Sequence, residues 1–369
     1  MGPVIASVRR RSGIDCRVCV SRQHREMLDQ VLRVFQLTPD DDLDVMAPDQ
    51  TLNGLAERVM SRFDSLLTDV RPDRVIVHGD TTTAMAGALA AFHRGVPVAH
   101  VEAGLRTYDL RGPFPEEYNR RAIDLVADLL FAPTPEAAAN LAGERLAGRV
   151  VVTGNTVVDS LVAVEARLSQ DRDFCAAVEQ GLPPLRSDRP LLLVTCHRRE
   201  NFGEGLNAIV DALDALATGD TMDIVLPVHR NPNVRTPIHA RLAGRPGLHL
   251  VDPLDYPAFV SLLLRAAAVL TDSGGVQEEA ASLGKPLLIM REATERPEAL
   301  AGADAVLVGA DPKRIVWGVR AAVEQGRAGY RLNRRIYGDG QASERIADVL
   351  CGVPVREFGE EPRARLVAQ

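Results

Sequence analysis

From Arg74 onward the chain alternates short β-branched or apolar runs with longer amphipathic stretches, a pattern that leaves few folds open. It calls for parallel strands joined by helices that cover the sheet on both faces. Strands are predicted at 74–78, 96–101, 129–132, 150–153, 191–196, 223–228, 249–251, 269–271, 287–290 and 305–308. These are too many for one ordinary doubly wound sheet. The segment 168–190, with Gln, Asp, Arg and the adjacent Pro183 and Pro184, reads as a link between two domains. The expected class is α/β, with two doubly wound parallel-sheet domains and an interdomain cleft. In such sheets ligands bind beyond the carboxyl ends of the strands. A chain of 369 residues, 46% hydrophobic and 25% charged, has enough apolar material for two such cores.

Charge and composition exclude several functions. The 43 Lys and Arg against 50 Asp and Glu are dispersed, with no long basic stripe, so nucleic acid is not an expected partner. Asp128 and Arg265 interrupt the two candidate apolar runs, so no membrane span is expected. The first residues lack the apolar core of a signal peptide, which places the expected location in the cytoplasm. Five cysteines are too sparse and odd a set for a disulfide framework. Cys16 and Cys19, in C-x-x-C spacing on an apparent strand, would point to opposite faces and read as structural. There is no P-loop, no G-x-G-x-x-G after a first strand and no convincing metal-ligand spacing to set against the motifs below.

The chemistry-bearing motifs fall at strand ends. His78-Gly79-Asp80-Thr81-Thr82-Thr83 follows the run 74–77 and precedes an Ala-rich helix; Asp or Thr there is also what an ordinary helix cap requires. The next strand ends in His100-Val101-Glu102-Ala103-Gly104-Leu105-Arg106, which brings Asp80 and Glu102 to the same rim. Pro115-Glu116-Glu117-Tyr118-Asn119-Arg120 opens another helix, where acidic residues also complement the helix dipole. Carboxylates converging on one site repel one another, which suits at least one of them to acid–base work.

Phosphate-type donors mark the second half. The strand at 191–196 runs into His197-Arg198-Arg199-Glu200-Asn201, a cationic cluster that fits either a solvated loop or an anion site. In Thr271-Asp272-Ser273-Gly274-Gly275-Val276-Gln277-Glu278-Glu279 a strand meets a helix through Ser-Gly-Gly, where backbone N–H groups can approach a phosphate. Glu279, one turn into that helix, could accept from both hydroxyls of a ribose, and Arg296 adds a cation nearby in sequence. Carboxylates before the link and phosphate donors after it describe a nucleotide-sugar site.

Taken in order, these segments closely resemble the bacterial non-hydrolysing UDP-N-acetylglucosamine 2-epimerases. The match includes Gln23-His24-Arg25-Glu26, His78-Gly79-Asp80, His100-Val101-Glu102-Ala103-Gly104-Leu105-Arg106-Thr107, Gly154-Asn155-Thr156, His197-Arg198-Arg199-Glu200, Pro227-Val228-His229, Asp272-Ser273-Gly274-Gly275, Glu295-Arg296-Pro297-Glu298 and Tyr337-Gly338-Asp339-Gly340. The resemblance implies the two-domain glycosyltransferase-B fold, a homodimer and chemistry without metal or nicotinamide, in cell-envelope polysaccharide supply. It implies acid–base roles for Asp80, Glu102 and Glu116 and a catalytic role for His197 near the leaving phosphate. Substrate-binding roles fall to Phe259, Ser273, Gly274, Gly275, Glu279 and Arg296. A second, activating UDP-N-acetylglucosamine would meet Gln23, Glu26, Arg58 and His229. The expected domains are 1–167, 168–340 and a returning helix with a loose tail at 341–369. Residues 1–6 match a family segment that lies after the opening strand and its Gly-Thr-Arg-Pro-Glu loop, so the first strand of the N-terminal domain is expected to be missing. A glycosyltransferase of the same fold, a hydrolysing epimerase and a weakly active UDP-sugar binder remain as alternatives.

Overall fold

The computed structural model describes residues 1–22, 25–47, 50–196, 203–294, 296–302, 305–326 and 336–360, with only the backbone described at 25–27, 302 and 326. The chain divides into two compact units, Met1–Asp159 with Gly338–Gln369, and Ser160–Tyr337.

The second unit holds β7 (Leu191–Thr195), β8 (Asp223–Pro227), β9 (Leu248–Val251), β10 (Ala268–Thr271), β11 (Leu287–Ile289) and β12 (Ala305–Leu307) in one parallel sheet ordered β12-β11-β10-β7-β8-β9. The runs are apolar at nearly every position because both faces are covered. Leu192, Val194, Ile224, Leu226, Leu270 and Leu288 face α9 (Glu204–Thr218), α10 (Pro232–Leu242) and α14 (Pro312–Gly326) in one core. Alternate residues such as Leu193, Val225 and Val269 are equally buried on the other face. That side carries α8 (Arg172–Gln180), α11 (Tyr256–Arg265) and α12 (Gly274–Ser282), with α13 (Pro297–Gly302) beyond. The strand order reverses between β7 and β10, and this switch point is where a doubly wound sheet opens a crevice for ligand. Thr195 and Thr271, at the carboxyl ends of those two strands, share a 2.5 Å hydrogen bond between hydroxyls.

The first unit has the same layering with a divided sheet. β1 (Cys19–Val20) and β2 (Asp41–Asp42) form a parallel pair, while β3 (Val75–His78), β4 (Val98–Val101), β5 (Leu129–Ala132) and β6 (Arg149–Val152) form a four-stranded parallel sheet in sequence order. Among the described residues β1 and β3 are each paired on one side only. Both pieces lie between the same two helix layers. Cys16 and Ile76 pack with α1 (Gly2–Arg9) and α15 (Ala342–Leu350); Cys19 packs with α3 (Leu52–Val70), whose Phe63 also reaches the core beneath Val75 and Val77. The two thiols thus face opposite layers, as their spacing predicts, and both are free. The layer of α3 continues through α4 (Thr82–His93), α5 (Glu116–Val126) and α6 (Pro135–Gly143); α2 (Arg25–Val34) also belongs to this unit, and α7 (Thr156–Gln170) begins in it and continues into the second.

Helix α15 returns to this unit through Ile346, Ala347 and Val349, which share a core with Val4, Val8, Val101 and Phe131. Arg11 bridges Glu344 and Asp348, and the N–H groups of Ala342 and Ser343 donate to Asp159. The tail is not loose as expected from its Glu and Pro content, at least to Glu360. Phe358 is buried and its N–H donates to the Val152 carbonyl, while Glu357 accepts from the Val152 N–H, so the segment is tied to β6. Residues 361–369 lie outside the described residues. No described helix is long and apolar enough to cross a membrane.

Candidate functional site

In the first unit, β3 and β4 end side by side and each is followed by a turn that only unusual backbone angles allow. Gly79 has φ +68°, and the Thr81 hydroxyl caps α4 by accepting from the Ala84 N–H, so the cap is Thr81 and not Asp80. Glu102 has φ +70°, rare for a side chain other than glycine and a cost of about 1–3 kcal/mol that the surroundings must impose. They do so through the N–H groups of Glu102 and Ala103, both of which donate to the Phe131 carbonyl at 3.1 Å. Two residues on, Gly104 has φ +88°, and a Cβ there would stand 2.4 Å from the Ala137 carbonyl oxygen.

These turns present the carboxylates to one another's neighbours. Arg120 Nη2 is 3.4 Å from Asp80 Oδ2, and its Nε donates to the Glu116 carbonyl. Asn119 Nδ2 donates to the Asp80 carbonyl at 2.9 Å. Glu102 Oε2 lies 3.6 Å from His78 Nε2, and Asn155 Nδ2 donates to Glu102 Oε1 at 3.4 Å. Partial exclusion of water from around the ring lowers the His78 pKa from its ordinary value, although the side chain is 38% exposed. Glu116 Oε2 is screened from solvent and has no hydrogen-bond partner among the described residues, the condition of a carboxylate kept for something else. Its neighbour Glu117 is structural: fully buried, it accepts from the Thr107 and Tyr108 N–H groups.

In the second unit, Ser273 precedes the first turn of α12, with its N–H donating to Thr271 Oγ1. A Cβ on Gly274 would lie 2.5 Å from Arg296 Nη1, so the missing side chain is what lets the guanidinium rest against the start of the helix. Arg296 is fixed by a 2.6 Å bond from Nε to Glu278. Gly275 meets nothing within 4 Å of the position of a Cβ. One turn further, Glu279 is buried and accepts from the Tyr256 hydroxyl at 2.8 Å; desolvation pushes this carboxyl up to about 7. Phe259 follows Tyr256 on α11 at a spacing that gives both the same helix face. Positive helix-end charge, a cation and backbone donors thus meet at the switch point beside β10.

His197, and with it 198–202, lies outside the described residues, as do Gln23 and Glu295; the side chain of Glu26 is likewise not described. Arg58 is held on α3 by the Val45 carbonyl and Gln50. His229 Nδ1 accepts from the Asn231 N–H, and its ring is exposed. Among the described residues no group of three or more His, Cys, Asp or Glu side chains is arranged to hold a metal ion. The sequence reading missed Arg120, Asn119, Asn155 and His100 as members of the site.

Two parallel-sheet α/β units, one with carboxylates at its strand ends and one with a glycine-bearing helix start, define the glycosyltransferase-B-like class of nucleotide-sugar enzymes. The family described as UDP-N-acetylglucosamine 2-epimerase matches residues 6–351, and the chain belongs to that family. It is 47% identical over 350 residues to a probable UDP-N-acetylglucosamine 2-epimerase of Ralstonia solanacearum, covering 94% of this chain and 93% of that one. Identity to the UDP-N-acetylglucosamine 2-epimerase of Escherichia coli K12 is 44% over 354 residues, with 95% and 94% covered. The crystal structure of the Neisseria meningitidis UDP-GlcNAc 2-epimerase bound to UDP-GlcNAc superposes with a TM-score of 0.89 at 41% identity, covering 95% of this chain and 96% of that one. A trehalose-phosphate synthase from Burkholderia vietnamiensis, 12% identical with a TM-score of 0.51, shares the fold alone.

Proposed function

We propose that this chain interconverts UDP-N-acetylglucosamine and UDP-N-acetylmannosamine, as an isomerase that does not hydrolyse its substrate. The observation that carries the reading is the pair of carboxylates Asp80 and Glu102 on the adjoining turns after β3 and β4, contacted by Arg120 and by His78 and Asn155, together with the unpartnered Glu116 Oε2 at the start of α5, the helix whose Arg120 reaches Asp80. The C2 proton of the sugar is weakly acidic, so its removal needs a positioned base. As the proton leaves, the C1–O bond breaks, its electron pair departs with UDP and a C1=C2 double bond forms. Return of UDP to C1 and of a proton to the other face of C2 completes the inversion. Two faces need two proton-handling groups, which more than one carboxylate supplies. His197 assists departure of the phosphate.

In this reading the first unit handles protons and the second holds UDP, with Ser273, Gly274, Gly275 and Arg296 at the phosphates, Glu279 at the ribose and Phe259 near the uracil. The working form is a cytoplasmic homodimer, and Gln23, Glu26, Arg58 and His229 receive a second, activating UDP-N-acetylglucosamine. Incubation with UDP-N-acetylglucosamine in deuterated buffer tests the proposal: deuterium should appear at C2 in both epimers, with no free UDP accumulating in phosphorus spectra. Transfer to an acceptor would leave C2 unlabelled, and hydrolysis would release UDP; either result rejects the proposed reaction.

A further inference from the structure

A buried histidine that the proposed chemistry does not use lies directly beneath these turns. His100 sits in β4 between Ala99 and Val101 and is wholly inaccessible to solvent. Its Nδ1 is 2.5 Å from Asp124 Oδ1 on α5, and its Nε2 is 2.9 Å from the Gly79 carbonyl oxygen. A carbonyl can only accept, so Nε2–H is the donor to Gly79. Asp124 is committed as an acceptor elsewhere, since its Oδ2 takes hydrogen bonds from Arg106 Nη2 at 2.7 Å and the Gly104 N–H at 3.3 Å. Asp124 Oδ1 thus holds the ring at Nδ1 while Nε2–H is turned to Gly79. Arg106 extends the group to Glu144 through Nε and Nη2. The imidazole, the guanidinium and the two carboxylates are thus joined in one hydrogen-bonded network, the condition under which buried polar groups are tolerated.

We propose that His100 is a positioning residue, which fixes the Gly79 turn and so sets where Asp80 and Glu102 stand. The inference rests on the reading of those two carboxylates as the acid–base groups. Gly79 is gripped from both sides by β4: its N–H donates to the Val101 carbonyl at 3.0 Å and its own carbonyl accepts from His100. Asp80 is the next residue, and its carbonyl is held in turn by Asn119. Glu102 is two residues beyond His100 in the chain, and its Oε2 lies 3.3 Å from where a Cβ on Gly79 would be. Loss of the ring leaves the Gly79 carbonyl facing a void and frees the turn to move against Glu102. A displacement of about 1 Å at a reacting group can cost on the order of 10²-fold in rate.

The test compares His100→Phe, which keeps a ring and removes both ring nitrogens, with His100→Gln, which restores one donor. The phenylalanine variant should lose about 10²-fold in kcat for C2 exchange with KM changed by less than about threefold, and glutamine should recover about tenfold of that loss. Nitrogen spectra of the histidine-labelled wild type should show a proton on Nε2 of His100. A bare Nε2, or equal kcat in wild type and both folded variants, overturns the inference. If the phenylalanine variant does not fold, the glutamine variant and the spectra decide alone. Asp80→Asn separates the two layers of argument: if it exchanges C2 protons at the wild-type rate, the reading of the carboxylates fails, whereas the spectra still report the clamp.

Discussion

The two units answer the same architectural problem differently. In the second, six strands pair without interruption and the switch point falls between β7 and β10, so the Ser273–Gly275 turn after β10 rides on a continuous ladder. In the first, the sheet is in two pieces, and the site is built on turns at Gly79, Glu102 and Gly104 that all have positive φ. What the ladder provides in one unit, side chains provide in the other: His100, Asn119, Arg120 and Asn155 each brace a turn or a carboxylate. A binding site tolerates a rigid frame with fixed donors, whereas proton transfer depends on side chains set within fractions of an ångström. The cost appears as strained backbone at Glu102, in the unit to which the proposed reaction assigns proton transfer.

The largest effect should come from that unit's carboxylates. Asp80→Asn and Glu102→Gln are each expected to lower C2 deuterium incorporation by about 10²- to 10⁴-fold while the thermal transition persists. Exchange at near wild-type rate in both would remove the contrast between a proton-handling and a ligand-holding unit.

The second unit should answer through pH. The folded-state carboxyl of Glu279 titrates at about 7, raised from an ordinary 4.5 by burial. A group raised in this way contributes stability that is fully present below about 4.5 and is lost as pH climbs through 7. Glu279→Gln keeps an acceptor for Tyr256 without the charge. Without ligand, this variant should match the wild type near pH 4.5 and exceed it near pH 8 by about 3 kcal/mol in urea unfolding. A difference of the same size at both values would show that burial of the charge is not the cause.

Much of this division was legible in the residues. Every strand from β3 to β12 lies within two residues of its expected bounds, because each is a short apolar run with turn signals on both sides. β1 and β2 were harder to read: a two-residue strand made of Asp41 and Asp42 has no alternation to detect, and only pairing with Cys19 and Val20 creates it. The strand-end acids were readable since a strand's carboxyl end faces the ligand. Their braces were not, because Asn155 and Arg120 reach the site from elements distant in sequence. A histidine within the apolar run of β4 was the one available hint of the His100 clamp.

Gly274→Ala probes how the second unit holds its cation. A methyl group would fall 2.5 Å from Arg296 Nη1 and 2.7 Å from Cζ, so the guanidinium must swing away while its Nε bond to Glu278 resists. Calorimetry with UDP should show affinity lowered by about thirtyfold, the scale of one charge-assisted contact of about 2 kcal/mol. Unchanged affinity would mean that the cation does not contribute from its observed place.

The smallest effect bears most directly on the difference between the sheets. Val75 donates to the carbonyl of Pro97, just before β4, and Gly79 to that of Val101 at its end, so the two-residue period of a parallel ladder makes Val77 donate to β4 too. Ile76 and His78 consequently turn their N–H groups toward the side on which β3 has no strand partner among the described residues. In β7 both sides are taken, by β8 and β10, and no such alternation exists. Hydrogen exchange at single-residue resolution should therefore show period-two protection along β3, with Ile76 exchanging about three- to tenfold faster than Val77, and near-uniform protection from Leu192 to Val194. Equal protection at Ile76 and Val77 would mean that something covers that edge as a strand would, and the contrast between a divided and a continuous sheet would then fail for the protein in solution.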